Sequence, residues 1–427
     1  MAQSEQSSHQ ASSETTELSQ RGWTILLAAY MLVLIIFGMA HEPATTPQGL
    51  LSIARSPGML VSDYVAIGGL NAAFVNAGVI GLASLLLVLF NKVRLSGPTI
   101  AGIFTIAGFG FFGKNWWSIW PIILGVALFS RVVQRPFKSY ILVAMFGTAL
   151  APLVTQVTYG FNWGLVPGAL FGIGAGFLLP PVAVYMLRLH QGFNIYNVGL
   201  SCGFLGLFIT AMLAGTGHDI PSTFYWSEQY SVLLGGFLLI YALSMLIIGL
   251  ILGRGRHGIS QARELVREVG TLPTDFVELY GASASLINMG LIGLLAWGYI
   301  ALVGGTFNGP TLGGAFTMIG FAAFGKHILN VPPVMAGVYV GSSLLIWEPA
   351  QAGPLLAALF ATTLAPISGR FGPLVGVIAG MVHLMLVMRT GAWHAGLNLY
   401  NNGFAGGLTA TLFTSLISWW SSWREER

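Results

Sequence analysis

The chain has 427 residues, of which 55% are hydrophobic and 7% are charged, with a formal net charge of +4 and a mean hydropathy of +0.77. Soluble domains carry roughly 25% charged residues, so this composition excludes a globular protein with a water-covered surface. The Lys and Arg residues are scattered between apolar stretches, which argues against a nucleic-acid partner. The single cysteine, Cys202, excludes an internal disulfide.

Residues 1–20 are polar and rich in Ser and Gln, and we expect them to form a disordered tail because they lack the pattern of a cleaved signal peptide. Beyond the tail, several apolar segments reach the ~20 residues that a helix needs to cross a ~30 Å hydrocarbon core. The sequence therefore predicts an all-α integral membrane protein, surrounded by the lipid bilayer, with about 14 spans (7+7). The predicted spans are 23–40, 65–90, 97–113, 118–133, 139–158, 163–187, 192–215, 230–253, 279–304, 309–325, 330–347, 351–368, 371–388 and 396–420.

The chain contains two copies of one half. GPTIAGIFTIAGFGFFGK (97–114) aligns without a gap with GPTLGGAFTMIGFAAFGK (309–326), and HQGFNIYNVGLSCG (190–203) returns as HAGLNLYNNGFAGG (394–407). TALAP and TTLAP form a third matched block between these two. An odd number of spans per half reverses the second copy, so we predict two inverted-topology repeats with broken or re-entrant helices.

The distribution of basic residues supports this path, since only Arg55, Lys114 and Arg389 of the 18 Lys and Arg residues fall outside. We therefore expect a multi-pass protein of the plasma (cytoplasmic, cell inner) membrane with both termini in the cytoplasm. Some segments are short or contain proline, and a re-entrant helix in each half would change the parity. The predicted units are the first membrane repeat at 21–220, the first span of the second repeat at 221–253, a cytoplasmic linker with a short amphipathic helix at 254–274, and the remainder of the second repeat at 275–427.

Polar side chains recur inside these apolar segments, where they are costly unless they find partners or line a wet pathway. Six belong to the repeated motif, and two lie in the matched segments AFVNAGVIGL and SLINMGLIGL. We predict that they line a substrate pathway, with capping of broken helices and interhelical hydrogen bonding as the alternative. The predicted pathway residues are Asn76, Asn288, Asn194, Tyr196, Asn197, Asn398, Tyr400 and Asn401.

His190 and His394 open the two motifs, where they act either as a proton relay or as interfacial residues. Glu348 has no counterpart in the first half and is interpreted as a loop residue or as a single coupling acid. No catalytic residues, metal site or cofactor are predicted, because no nucleotide-binding, metalloprotease or nucleophile motif is present.

Asp63 and Asp275 precede matched spans, and this position predicts helix N-caps. Lys114 and Lys326 end the matched FGK blocks, and we expect both to snorkel from the end of a span towards water.

The duplicated blocks resemble a bacterial multipass family known as domain of unknown function 1576, whose members carry two copies of the same domain. This resemblance covers nearly all of residues 60–420 and implies no activity. FVNAGVIGL and AGLNLYN are similar, more loosely, to signatures of the urea transporter family, which implies a central pore per subunit of a trimer that passes a small neutral amide. The chain departs from that family in its larger span count and in lacking a Gln before the first signature, where it reads IGGLNAAF.

We expect a membrane transporter or channel for a small polar solute, with its pathway at the interface of two inverted repeats. The alternatives are a non-transporting membrane scaffold or subunit and an intramembrane lipid-modifying enzyme, and transport is preferred because no catalytic pair is visible. The sequence does not decide whether transport is coupled to a proton or a sodium ion, or whether the protein forms a homo-oligomer.

Overall fold

A computed structural model describes residues 18–425, so most of the predicted tail at residues 1–20 lies outside the described residues. The described chain is built of helices, as the sequence predicts. The first half contains α1 (Gln20–Met39), α2 (Thr46–Arg55), α3 (Tyr64–Phe90), α4 (Gly97–Phe109), α5 (Ile119–Val132), α6 (Ile141–Gly147), α7 (Ala151–Thr155), α8 (Leu165–His190) and α9 (Asn197–Gly215). The second half contains α10 (Ser231–Leu252), α11 (Arg256–Leu265), α12 (Phe276–Leu302), α13 (Gly309–Phe321), α14 (Pro332–Leu344), α15 (Ala352–Phe360), α16 (Ala365–Phe371), α17 (Pro373–Trp393) and α18 (Asn401–Glu425).

The helices of the two halves correspond one to one in chain order. Helices α3 and α12 have 27 residues each, and α4 and α13 have 13 each. Both pairs begin and end at the same 212-residue offset that aligns their sequences. Helix α11 lies in the linker between the halves, where a short helix is predicted. All of the predicted apolar segments coincide with helices.

Helix lengths divide these segments into two classes. Within residues 18–425, nine helical segments are long and apolar enough to cross a membrane. Helices α4, α5, α13 and α14 have only 13 or 14 residues, which corresponds to about 20 Å at 1.5 Å per residue. Because the hydrocarbon core is ~30 Å thick, these four helices are too short to cross it, and that the repeats contain broken or re-entrant spans stays a prediction. The total of fourteen spans stays a prediction.

The short helices α4 and α13 form the centre of the molecule and pack against each other in opposite directions. A side chain on Gly108 would lie 2.9 Å from Phe316 Cβ, and one on Gly320 would lie 2.7 Å from Phe104 Cβ. The equivalent rings of Phe104 and Phe316 face each other with centroids 6.1 Å apart. These contacts show that α4 and α13 are antiparallel, as inverted repeats require, and the inverted topology of the two halves stays a prediction.

Two aspartates connect the halves at the ends of the short helices. Asp63 caps α3 by accepting from the Val65 amide at 2.9 Å, and its carboxylate also accepts from the Gly309 amide at the start of α13. Asp275 caps α12 through the Val277 amide at 3.0 Å and accepts from the Gly97 amide of α4 at 2.9 Å. The predicted N-caps are confirmed, and each also stabilises the positive end of the other half's short helix.

A glycine kink near the start of α3 and α12 separates the capped first turn from the rest of the span. Gly69 has φ of 86° and Gly281 has φ of 75°, values that a side chain would strain. The two kinks lie at equivalent positions. The first turn of each long helix therefore takes its own direction, and its aspartate lies beside the opposite half.

Candidate functional site

The two copies of the repeated motif meet where α9 and α18 cross. A Cβ on Gly199 would lie 3.0 Å from the Gly403 Cα, and one on Gly403 would lie the same distance from the Gly199 Cα. A larger residue at either position would separate the helices. These equivalent glycines therefore place the crossing on the axis that relates the halves.

The histidine of each motif braces the turn that leads into α9 or α18. His190 Nε2 lies 2.9 Å from Asn197 Oδ1, and His190 Nδ1 accepts from the Asn194 amide at 3.3 Å. Asn197 Nδ2 donates to the Ala183 carbonyl at 3.2 Å. Both ring nitrogens are thus used within the turn, and the predicted proton relay is not tested by these contacts. The second half repeats the arrangement at His394, Asn398, Asn401 and Val387.

The first asparagine of each motif bonds across to the other half. Asn194 Nδ2 donates to the Gly403 carbonyl at 3.2 Å, and Asn398 Nδ2 donates to the Gly199 carbonyl at 3.3 Å. Asn194 Oδ1 also accepts from Thr363 Oγ1 at 2.5 Å. Both side chains are fully buried. Their amides hold the crossing together, so in this structure they take the hydrogen-bonding role that the sequence leaves open.

Asn76 and Asn288 bond to the carbonyl groups that α4 and α13 leave free where they end inside the protein. Asn76 Nδ2 donates to the carbonyls of Gly110 and Lys114 at 2.7 and 2.8 Å. Asn288 Nδ2 makes the equivalent two bonds to Ala322 and Lys326, both at 2.7 Å. An unpaired buried carbonyl is expensive in a membrane. These two asparagines therefore stabilise broken helices, and neither borders the cavity described below.

The two lysines of the FGK blocks are fully buried, so the predicted snorkelling is wrong. Lys114 Nζ donates to Tyr400 Oη at 2.5 Å and lies 4.4 Å from the centre of that ring. Lys326 Nζ donates to Tyr196 Oη and lies 4.4 Å from the centre of its ring. The physical reason is that each lysine follows a helix of 13 residues, which ends well inside the span. Each contact joins a lysine of one half to a tyrosine of the other.

A cavity of about 190 Å³ is bordered by the tyrosines of both contacts, Tyr196 and Tyr400. Its wall contains Phe109 and Tyr400, whose rings contact Lys114, and Phe321 and Tyr196, whose rings contact Lys326. The rest of the wall comes from both halves. The lining residues are Thr105, Phe109, Leu142, Val143, Phe146, Ile195, Tyr196, Asn197, Val198, Gly199, Leu272, Thr317, Phe321, Phe324, Phe360, Leu399, Tyr400, Asn402 and Gly403.

Most of the wall consists of equivalent pairs. Phe109 pairs with Phe321 in the short helices, and Tyr196 pairs with Tyr400 in the motifs. Further pairs are Thr105 with Thr317, Phe146 with Phe360, Ile195 with Leu399, Val198 with Asn402, and Gly199 with Gly403. The cavity therefore lies on the axis between the halves, at the interface where the sequence predicts a pathway.

The predicted pathway residues divide between the cavity and its supports. Tyr196, Asn197 and Tyr400 border the cavity. The other predicted residues, Asn76, Asn288, Asn194, Asn398 and Asn401, and the histidines of the predicted relay, His190 and His394, are not among the lining residues. Sequence reasoning missed the role of the lysines and of the phenylalanines in the wall. The sequence did contain a signal for the lysines, because both stand at the end of the block in which the two repeats are most similar.

Among the described residues, no group of three His, Cys, Asp or Glu side chains is placed to hold a metal ion. Glu348, whose role is open from the sequence, is exposed in the loop after α14.

Comparison with known proteins gives a family. No curated protein and no solved structure matches the chain, so the looser resemblance to urea transporters stays a prediction. The model of a family described as "Protein of unknown function (DUF1576)" matches residues 42–215 and 256–419, one match in each repeat. The chain therefore belongs to this two-repeat family of multipass helical membrane proteins.

Proposed function

We propose that this protein is a transporter or channel for a small polar solute, which passes between the two halves through the cavity on their common axis. The observation that carries the proposal is the cavity itself, with a wall of matched residues from both repeats. In inverted-repeat transporters the solute binds near the midplane at the repeat interface, beside broken helices. Helices α4, α9, α13 and α18 supply the corresponding surfaces here.

The two lysine–tyrosine contacts are suited to close the ends of this pathway. Helices α4 and α13 are antiparallel and Lys114 and Lys326 follow their C-terminal ends, so we expect the two contacts to lie towards opposite sides of the molecule. Each contact joins the two halves. A movement of one half against the other would separate one pair while the other stays closed. This is the behaviour that alternating access requires.

The size and composition of the cavity favour a small solute. About 190 Å³ is enough for a few non-hydrogen groups and too little for a polymer or a lipid. The polar residues Asn197, Asn402 and Thr105 stand among the aromatic residues of the wall. Such a mixture of apolar surface and a few polar groups is typical of small-molecule sites.

We propose that the solute crosses the membrane chemically unchanged, so no enzymatic reaction is part of this function. We also propose that the protein lies in the plasma membrane with both termini in the cytoplasm, which the distribution of Lys and Arg supports. A proton or sodium gradient as driving force, and assembly into a homo-oligomer, belong to the same proposal.

The test is uptake of a panel of labelled small solutes into proteoliposomes, with pH and sodium gradients applied separately. Val143 borders the cavity, and we expect Val143→Trp to fill it and abolish uptake of any solute that the unmodified protein carries. Val232→Trp is the matched control, because Val232 is 92% exposed on the outside of α10 and should leave uptake unchanged.

Size-exclusion elution of both variants at the position of the unmodified protein shows that they are folded. Equal uptake by the unmodified protein and by Val143→Trp would place the pathway elsewhere. A protein that moves no member of the panel above the level of empty liposomes would favour the scaffold alternative.

A further inference from the structure

The polar ends of two helices meet at the cavity. Helix α9 begins at Asn197 and α18 at Asn401, and residues 197–199, 402 and 403 all lie in the wall. The N-terminus of a helix carries roughly half a positive charge and presents free amide groups. Two such ends at one small cavity attract an acceptor group, and an anion most of all.

The two buried lysines lie behind the cavity wall, each against two aromatic rings that border the cavity. The hydrogen-bond partners of Lys114 and Lys326 are the hydroxyl groups of Tyr400, Tyr196 and Thr362, which carry no negative charge. No Asp or Glu is among the residues that line the cavity. An anion bound in the cavity would therefore meet no negatively charged side chain in its wall.

A third and independent observation is a hydroxyl group that has no partner. Thr105 is 98% buried, it lies in the cavity wall, and its Oγ1 makes no hydrogen bond in the described structure. Its equivalent, Thr317, instead donates to the Gly313 carbonyl of its own helix at 2.8 Å. A buried hydroxyl in a native protein normally has a partner. Thr105 is therefore a donor available to a bound acceptor.

The remaining wall limits what else the ligand contains. Phe109, Phe146, Phe321 and Phe360 present aromatic rings to the cavity. Rings of this kind pack against an apolar body but do not replace the water around an inorganic ion. The ligand that fits both parts of the wall has one negative charge on one end and a small apolar body.

We propose that the cavity binds a small organic monoanion, such as a short aliphatic or aromatic monocarboxylate, with its carboxylate at Thr105 and the helix N-termini. This assignment rests on the proposed function and names the class of solute that the pathway carries. It differs from the neutral amide that the looser resemblance to urea transporters implies.

Calorimetric titration of the detergent-solubilised protein with benzoate, benzamide and chloride tests the assignment. Benzamide has the shape of benzoate without its charge, and chloride has the charge without an apolar body. We expect benzoate to bind at least about tenfold more tightly than either, as charge-assisted hydrogen bonds are stronger than neutral ones. Equal affinity for benzoate and benzamide would overturn the proposal, and so would tighter binding of chloride.

Two substitutions locate the site. Thr105→Val removes a hydroxyl without an internal partner, so we expect about tenfold weaker benzoate binding and an unchanged midpoint of thermal unfolding. Thr409→Val is the matched control, since the Thr409 hydroxyl bonds to the Ala405 carbonyl at 2.9 Å outside the cavity wall. It should leave benzoate binding unchanged. Benzoate binding that Thr105→Val does not weaken would overturn the assignment of the carboxylate to this hydroxyl.

The outcome separates this proposal from the proposed function. Proteoliposomes that carry benzamide but not benzoate would keep the pathway and reject the anion. A protein that binds benzoate through Thr105 but moves no solute would keep the anion site and reject transport.

Discussion

The two ends of the cavity are built from equivalent residues but are held together differently. Lys326 Nζ donates to the hydroxyls of Tyr196 and Thr362, the latter at 2.7 Å, whereas the described hydrogen bond of Lys114 Nζ goes to Tyr400. The threonine equivalent to Thr362 is Thr148. Each donates to a carbonyl three residues earlier, and Thr148 bonds to the hydroxyl of Tyr400, but no bond between Thr148 and Lys114 is described. The two similar repeats therefore contain one lysine with two hydroxyl partners, Lys326, and one lysine with a single described hydroxyl partner, Lys114.

The backbone turns that carry these lysines differ in the opposite sense. Asn76 donates twice and also accepts from the Trp116 amide at 3.2 Å, so it makes three bonds to the turn before α5. Asn288 makes the two donor bonds only, and its Oδ1 has no partner in the described structure. The asparagine therefore makes more bonds at the Lys114 end, and the lysine makes more bonds at the Lys326 end. We expect the Lys114 contact to separate first.

The largest predicted effect is the loss of stability when Asn76 or Asn288 is replaced. Asn76→Leu removes three bonds and leaves two buried carbonyls without a partner, and we expect it to lower the free energy of unfolding by about 4 kcal/mol. Asn288→Leu removes two bonds, so its expected loss is smaller, at about 2–3 kcal/mol. SDS-induced unfolding in mixed micelles measures both. Equal losses would remove the difference between the two turns.

An intermediate effect is predicted for a contact that exists in the second half and has no counterpart in the first. His383 Nε2 lies 3.0 Å from Asn402 Oδ1, and the equivalent positions hold Leu179 and Val198. We expect His383→Leu to cost about 1.5 kcal/mol, because Asn402 loses its partner. The double change His383→Leu with Asn402→Val copies the first half, and we expect it to cost less than the single change. A double variant that is the less stable of the two would contradict this.

The smallest predicted effect is the coupling within each lysine cluster. A double-mutant cycle with Lys326→Met and Thr362→Val should give about 1 kcal/mol of interaction free energy, since these side chains share a hydrogen bond. The matched cycle with Lys114→Met and Thr148→Val should give less than about 0.5 kcal/mol. Similar values in the two cycles would show that the ends are equally held.

The sequence was sufficient for most of the fold because membrane helices and duplication leave strong local signals. Long apolar runs predict α3 and α12, and a constant offset of 212 predicts that they begin at equivalent residues. Hydropathy, however, does not show how far into the membrane a helix extends. The segment 97–113 is short enough to predict a re-entrant helix, but its hydropathy does not show that α4 ends after 13 residues among buried side chains.

The site was harder to predict, because its contacts join residues far apart in the chain. Lys114 and Tyr400 are separated by 286 positions, and Lys326 and Tyr196 by 130. No local pattern records such a pairing. The motif did predict polar residues at the interface, and Tyr196, Asn197 and Tyr400 border the cavity. Asn194 and Asn398 have the same residue type and a similar place in the sequence, but their amides face backbone carbonyls.

The exchange of caps between Asp63 and Asp275 has a consequence for synthesis. The Gly97 amide at the start of α4 donates to a carboxylate that lies 178 positions further along the chain. During translation the first repeat therefore enters the bilayer before this hydrogen bond can form. Final assembly must therefore follow insertion of the second repeat. Loss of either repeat would leave the short helix of the other with its own capping box but without the carboxylate that now accepts from its first amide.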